Sequence, residues 1–440
     1  MLRGVSSDKL IIFGYFLAVI AAGAALLSIP AAWGGPDRLG FLDALFTSTS
    51  AVCVTGLIVV DTAEFTRFGQ IVIMALIQFG GLGIVTFATL FVAIPRRRLS
   101  LLNRGLIQEF YLGEVEVNPR RIVAAIVGTT VLIELLGFLA LRSSFGSAGV
   151  DHPTFSAVFI AVSAFCNAGF AVFSDSLNGF VNSWSVNLTV MLLIVTGGLG
   201  FVVIQDLYSV LMRRKRRLSY HSRVVLRTTL ILVCAGALAF LALEWTGALS
   251  KLPVGSKIMA ALFQSVTTRT AGFDTVPQAS FGLPSVALVL LLMFTGGSPG
   301  STAGGVKTTT MFLAFHTAFG GTESDGSLTL RGGAVSSGSV ARALSLLVKA
   351  AAIVALSFFG LLIFDGTSVG FQDLFFEAVS AFGTVGLSRG ITSALSDPGK
   401  LVLIMTMFAG RVGLFAMAAF RRPDRIERWA DYPREDLMLG

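Results

Sequence analysis

Charge is scarce in this chain: only 13% of its 440 residues are Asp, Glu, Lys or Arg, against 54% hydrophobic. That excludes a protein whose whole surface faces water, because too few charges exist to cover it. Cysteine is scarcer still. Cys53, Cys166 and Cys234 are odd in number, sit in apolar surroundings and lack metal-ligand spacing, which excludes a disulfide framework and a thiolate metal site. His152, His221 and His316 are scattered, with no HExxH pattern and no acidic partner at useful spacing, so zinc hydrolysis is excluded too. No GxGxxG opens a βαβ unit, no Walker sequence occurs, and no nucleophile stands near a base. An enzyme is therefore not expected.

What is present is long apolar runs. Crossing a bilayer as a helix takes about 20 residues, and the stretch 10–30 carries no charge. It exceeds the roughly 7 to 15 apolar residues of an export signal and no small-x-small cleavage site follows, so it reads as a span. The net charge of +8 is distributed by position. Segments 1–10, 95–121, 213–227, 307–342 and 421–440 hold 23 Lys and Arg, whereas the intervening segments 31–67, 143–186, 246–283 and 365–399 hold 6. By the positive-inside rule the first set is cytoplasmic, both termini included, and the number of crossings is even. The clusters at Arg96 to Arg98 and Arg213 to Arg217 then lie beside anionic lipid, not nucleic acid.

A fixed internal period organises the chain. Gly56, Gly169, Gly272 and Gly386 stand 113, 103 and 114 residues apart, in the phrases SAVCVTGL (50–57), SAFCNAGF (163–170), VTTRTAGF (266–273) and SAFGTVGL (380–387). Ten residues before each glycine, Phe46, Phe159, Leu262 or Phe376 opens a short apolar segment. Such a segment is too short to span and too apolar for a water-exposed loop, so a re-entrant half-helix is expected. A small pair follows each glycine 23 to 28 residues on: Gly80-Gly81, Gly197-Gly198, Gly296-Gly297 and Ala409-Gly410. For the first two pairs, close helix packing is the favoured account.

The expected fold is an all-α integral membrane protein of four tandem repeats, each a span, a short pore helix and a second span. That makes eight transmembrane helices and four re-entrant helices, pseudo-fourfold about one central pore. The repeats occupy 1–95, 96–212, 213–318 and 319–440. First spans are expected near 10–27, 122–141, 224–243 and 343–364, and second spans near 68–94, 186–212, 284–316 and 401–420. All four glycine phrases fall on the outer side.

This arrangement suits a cation. Stripping water from a monovalent cation takes a ring of oxygens, and backbone carbonyls supply one without the grip of full charges. Glycine fits because aiming successive carbonyls inward needs backbone angles that a Cβ makes costly. In the third repeat the second span contains TGGSPGSTAGG (295–305), and Pro299 among five glycines breaks the helix. In the fourth, Arg411 falls mid-span, where an unpaired charge costs at least about 2.5 kcal/mol, so it should face an aqueous pore. Glu134, Asp206 and Lys349 lie in or near spans without a motif, and interhelical pairing or snorkelling is the expectation.

In these residues the chain resembles the Trk/Ktr/HKT superfamily of potassium transporters over nearly its whole length, and its eight-span plan is most like the bacterial Ktr membrane subunit (KtrB-like). The resemblance implies that Val54, Thr55 and Gly56, Asn167, Ala168 and Gly169, Thr270, Ala271 and Gly272, and Thr384, Val385 and Gly386 line a filter whose carbonyls hold K+. It implies that the loop Thr295, Gly296, Gly297, Ser298, Pro299, Gly300, Ser301, Thr302, Ala303, Gly304 and Gly305 is an intramembrane gate, with Arg411 beneath the filter holding it shut. It also implies location in the cell (inner) membrane, a homodimer packed on the tail Tyr432 to Gly440, and a cytoplasmic RCK-type (KtrA-like) ring that binds nucleotide. Sodium as activator or as co-substrate stays open. A coupled secondary symporter with alternating access is the alternative, since broken helices near the midplane mark that class as well. Four filters of one topology favour the pore.

Overall fold

The computed structural model describes residues 7–93, 119–320, 328–330 and 333–413. Arg96 to Arg98 and the tail Tyr432 to Gly440 lie outside the described residues. Helices dominate, in the order α1 (Ser7–Leu27), α2 (Phe41–Cys53), α3 (Arg67–Ala93), α4 (Pro119–Ser147), α5 (Pro153–Phe165), α6 (Trp184–Leu199) and α7 (Phe201–Leu211). There follow α8 (Tyr220–Glu244), α9 (Val254–Thr267), α10 (Leu283–Phe294), α11 (Thr308–Gly320), α12 (Ser337–Asp365), α13 (Phe371–Gly383) and α14 (Asp397–Phe408). A two-stranded antiparallel hairpin, β1 (Leu328–Leu330) and β2 (Gly333–Val335), stands between α11 and α12.

Among the described residues three helices are long and apolar enough to cross a membrane: Val123–Ser147 within α4, then α8 and α12. The bent pair α6 and α7 counts as a fourth if taken as one span. α1 and α3 run 21 and 27 residues, about 30 and 40 Å at the helical rise. The surfaces of α4, α8 and α12 invert the soluble pattern, since Leu132, Leu136, Ile231, Leu238, Phe359 and Ile363 are all more than half exposed. Lipid is the solvent such a surface suits.

The short helices α2, α5, α9 and α13 are buried along most of their length. α2 and α13 each begin after a glycine and carry an aspartate in the first turn, Asp43 or Asp373, which complements the positive helix end. Phe46, Phe159 and Phe376 anchor three of the helices and are fully enclosed. In the third, the anchor is Phe263 and not the expected Leu262, which is only partly buried. The α9 segment reaches its glycine in one residue fewer, so the phase of the phrase slips by one. One apolar cluster joins α1 to α7 and α9 with α12 to α14, and a second joins α8 to α10 with α12 and α13.

The second span expected as one helix over 186–212 is not continuous: α6 and α7 meet at 103°. The hinge is Gly200, with φ +87° and ψ 145°. A side chain rarely tolerates that φ, and a Cβ there would lie 2.7 Å from the Pro299 carbonyl oxygen. The expected break in the span at 284–316 is present, between α10 and α11. α14 ends at Phe408 and passes into a single π-helical turn, Ala409–Gly413, which carries Arg411. An inserted residue of this kind shifts side chains out of the α register.

Candidate functional site

Each short helix is followed within three residues by a left-handed one: Val54 (φ 57°) and Thr384 (49°) cap their helices directly, whereas Asn167 (59°) and Thr270 (71°) come after right-handed caps at Cys166 and Thr268. Two residues on, Gly56 (91°), Gly169 (71°), Gly272 (77°) and Gly386 (89°) are left-handed again. Alternation of this kind turns successive carbonyls to one side, where a plain strand sends them to opposite sides in turn. The N–H groups are tied back to the preceding helix. Thr55 N–H donates to the Ser50 carbonyl at 2.8 Å and Gly56 N–H to Ser50 Oγ at 3.1 Å. Val385 and Gly386 repeat this on Ser380 at 2.9 and 3.2 Å, and Ala168 N–H donates to the Ser163 carbonyl at 2.8 Å. In the third phrase Thr267 takes the serine's part, accepting at its carbonyl from Ala271 at 3.0 Å and Gly272 at 3.4 Å. Among the described residues no carbonyl of these four triplets accepts a hydrogen bond.

The phrases meet head to tail in a closed ring. A Cβ on Gly56 would approach the Ala168 carbonyl oxygen (2.5 Å) and Gly169 Cα (3.1 Å). One on Gly169 would meet the Ala271 oxygen (2.8 Å) and Gly272 Cα (3.0 Å), and one on Gly272 would meet the Val385 oxygen and Gly386 Cα (3.2 Å). Gly386 closes the circle against the Thr55 oxygen and Gly56 Cα (2.9 Å). All four helix C-termini therefore converge on one locus, each bringing partial negative charge. The later glycines press the second helices onto the same helix ends: a Cβ on Gly80, Gly197 or Gly410 would overlap the carbonyl of Val52, Phe165 or Phe382, each four residues before a ring glycine.

The loop 295–305 is buried along its length except for a half-buried Pro299. Its two ends are latched as a neck by a parallel bridge between Thr295 and Val306, Gly296 N–H on the Val306 carbonyl (2.8 Å), Thr308 N–H on the Gly297 carbonyl (3.0 Å) and Thr308 Oγ1 on the Gly296 carbonyl (3.0 Å). Its tip fills the break between α6 and α7. Ser298 N–H donates to the Gly198 carbonyl at 3.0 Å, Thr302 N–H to the Gly197 carbonyl at 3.3 Å, and Phe201 N–H to the Gly300 carbonyl at 3.1 Å. Loop and broken helix thus satisfy each other's backbone groups, which neither could leave bare in a buried setting. Gly197 and Gly198 do more than pack; their carbonyls hold the loop.

Two cations clasp the loop. Arg411, 5% exposed, donates through Nη1 to the Thr302 carbonyl and through Nη2 to the carbonyls of Gly80 (2.9 Å) and Gly81 (3.3 Å). Lys307 Nζ donates to the Ala303 carbonyl at 2.7 Å. Among the described residues neither is paired with a carboxylate. The loop also touches the helix ends that carry the ring, since a Cβ on Gly305 would stand 3.1 Å from the Gly383 carbonyl and Thr302 Oγ1 donates to the Phe165 carbonyl at 3.1 Å.

Sequence patterns missed the cuff around the ring. Lys400 of α14 pairs with Asp43 of α2 at 2.8 Å, and Arg389 pairs with Asp373 at 2.6 Å while donating to the Gln278 carbonyl at 3.2 Å. Asp274, two residues past Gly272, takes a hydrogen bond from Gln278 Nε2 at 2.6 Å, and its backbone bonds Ser176 and Leu177. Burial pushes the Asp274 carboxyl up to about 7, against the lowering pull of Gln278. Elsewhere, Glu134 accepts from Gln78 Nε2 across α4 and α3 at 3.2 Å, Asp206 pairs with Lys215 at 3.0 Å, and Lys349 is exposed.

Apolar helices, four converging helix ends and a ring of carbonyls without hydrogen-bond partners among the described residues, beside a buried loop, define a multi-pass membrane protein of the transport class. The chain belongs to the TrkH family of cation transport proteins, whose family model matches residues 5–427, and it is therefore not an enzyme. It is 36% identical to Ktr system potassium uptake protein B of Vibrio alginolyticus, over 100% of this chain and 96% of that protein. It is 37% identical to the Bacillus subtilis protein of the same name, covering 98% and 96%, and 35% identical to the potassium/sodium uptake protein NtpJ of Enterococcus hirae, covering 100% and 98%. The crystal structure of the potassium transporter TrkH from Vibrio parahaemolyticus shares the fold, with a TM-score of 0.71 at 22% identity over 96% of this chain and 86% of that one.

Proposed function

We propose that this chain is the potassium-conducting membrane subunit of an uptake system, passing K+ through a filter made by residues 54–56, 167–169, 270–272 and 384–386. The observation that carries the reading is the ring, in which four triplets of alternating handedness close on one another with carbonyls that no donor occupies. Such a ring replaces a hydration shell, and negative helix ends behind it favour a cation. Four repeats of span, short helix and span, at the boundaries given above, build it with pseudo-fourfold symmetry and eight crossings, both termini inside the cell.

The loop 295–305 is the gate and Arg411 its clasp. In its position under the ring the loop blocks the path with backbone, and the positive charges of Arg411 and Lys307 repel a cation that arrives from above. The uptake-protein names of the relatives support potassium as cargo, and the word system in them supports a further component. We assign to that component nucleotide binding, in an RCK-type ring beneath a homodimer of this chain.

The test is voltage-driven flux into liposomes holding the purified protein, K+ against Na+, for the intact chain and for a deletion of residues 298–303. K+ uptake with no second gradient and a faster flux in the deletion would support pore and gate together. Uptake that stops without a sodium or proton gradient would replace the pore by coupled symport, and a deletion that folds without conducting faster would remove the gate.

A further inference from the structure

At the position three residues before the ring glycine the phrases carry Cys53, Cys166 and Gly383, but the third carries Arg269. A full charge thus stands where the others have small or weakly polar groups. Arg269 is 8% exposed, and its Nη2 donates to the Gly296 carbonyl at 3.4 Å and to Thr308 Oγ1 at 3.3 Å. Those two residues are the two sides of the loop's neck, already joined to each other through Thr308 Oγ1. No carboxylate pairs with Arg269 among the described residues, and its Nε has no acceptor. A guanidinium in that state has the neck as its main source of compensation.

Its other end is covalent. Arg269 directly precedes Thr270, the left-handed first residue of the third triplet, so a shift of the triplet swings the guanidinium and a shift of the neck pulls the triplet. We propose that Arg269 is a positioning residue that couples the third segment of the filter to the neck of the gate loop, so that cation occupancy of the ring and the position of the loop are linked. The inference rests on the filter and gate reading above. An ion in the ring repels the guanidinium and loads it onto the neck carbonyl; by linkage, a displaced neck alters the ring's hold on the ion to the same degree.

The experiment uses the full chain with Cys234→Ala, which leaves two buried cysteines, and Ser301→Cys as a reporter at the loop tip. Labelling by a charged thiol reagent from the cytoplasmic side is timed in K+ and in N-methylglucamine. The parent should label at rates differing about fivefold or more between the two ions, the lower end of ordinary coupling between sites, and Arg269→Gln should bring that ratio close to one. Thr308→Val, which removes one acceptor while leaving the charge, should reduce the ratio part of the way and serves if the arginine variant fails to fold. A parent indifferent to the ion overturns the inference, as does an unchanged ratio in either variant. Flux through the deletion of 298–303 is measured alongside: faster flux with an unchanged ratio defeats only the coupling, whereas unaltered flux defeats the gate reading itself.

Discussion

Gly56→Ser is the sharpest perturbation of the ring. At φ +91° a residue with a Cβ carries a backbone penalty of about 1–2 kcal/mol. The new Cβ would stand 2.5 Å from the Ala168 oxygen and 3.1 Å from Gly169 Cα, both backbone atoms that cannot rotate aside. Relief must come from the triplets themselves, and the carbonyl displaced is one that the filter reading gives to the ion. A loss of the same 1–2 kcal/mol from the preference for K+ corresponds to about a 5- to 30-fold fall in the K+ to Na+ permeability ratio. Reversal potentials under opposed K+ and Na+ solutions measure it. Gly390→Ala is the control, since Gly390 has φ +93° but nothing within 4 Å of its added Cβ, so it should bear similar strain and leave the ratio alone. An unchanged ratio in conducting Gly56→Ser protein, or an equal fall in Gly390→Ala, would refute the argument.

Arg411→Met removes the donor to three carbonyls; losing charged hydrogen bonds of about 1.5–3 kcal/mol should raise unstimulated K+ flux roughly tenfold or more per protein, read in the same liposomes. Gly200→Ala should lower stability by about 1–2 kcal/mol and also raise flux, because its Cβ presses on Pro299; thermal unfolding with parallel flux separates this from strain alone. The Asp274 carboxyl, raised to about 7, binds its proton more tightly folded than unfolded, so stability falls as pH rises from its ordinary value near 3.8 and the full penalty is reached above about 7. The melting midpoint in detergent should therefore be higher at pH 6 than at pH 8, and Asp274→Asn should flatten that difference.

The membrane class and the four phrases were legible because both depend on composition and on chain-local pattern. Apolar length marks a span whatever it packs against, and a glycine at positive φ is written where it is needed. The broken helix at 295–305 was legible for the same reason, as proline and glycine act on their own turn. The bend at Gly200 was not, because one glycine in an apolar run is compatible with a straight helix; only the Pro299 and Gly300 carbonyls, about a hundred residues away, decide it. The one-residue slip that replaces Leu262 by Phe263 was hidden by aligning the phrases on their glycines. Arg269, Lys400 and Arg389 carry no periodic signal at all, since their partners lie on other segments of the chain.

The seam between the loop and the α6–α7 break has a consequence for water. Withdrawing the loop uncovers the carbonyls of Gly197 and Gly198, the Phe201 N–H and the loop's own Ser298 and Thr302 N–H groups at the same moment. None can stay bare at that depth, so the space the loop vacates must flood as it leaves. On the gate reading, opening is a hydration transition, and its equilibrium should respond to osmotic pressure. A solute too large to enter should then favour the protein with its loop seated and slow the flux.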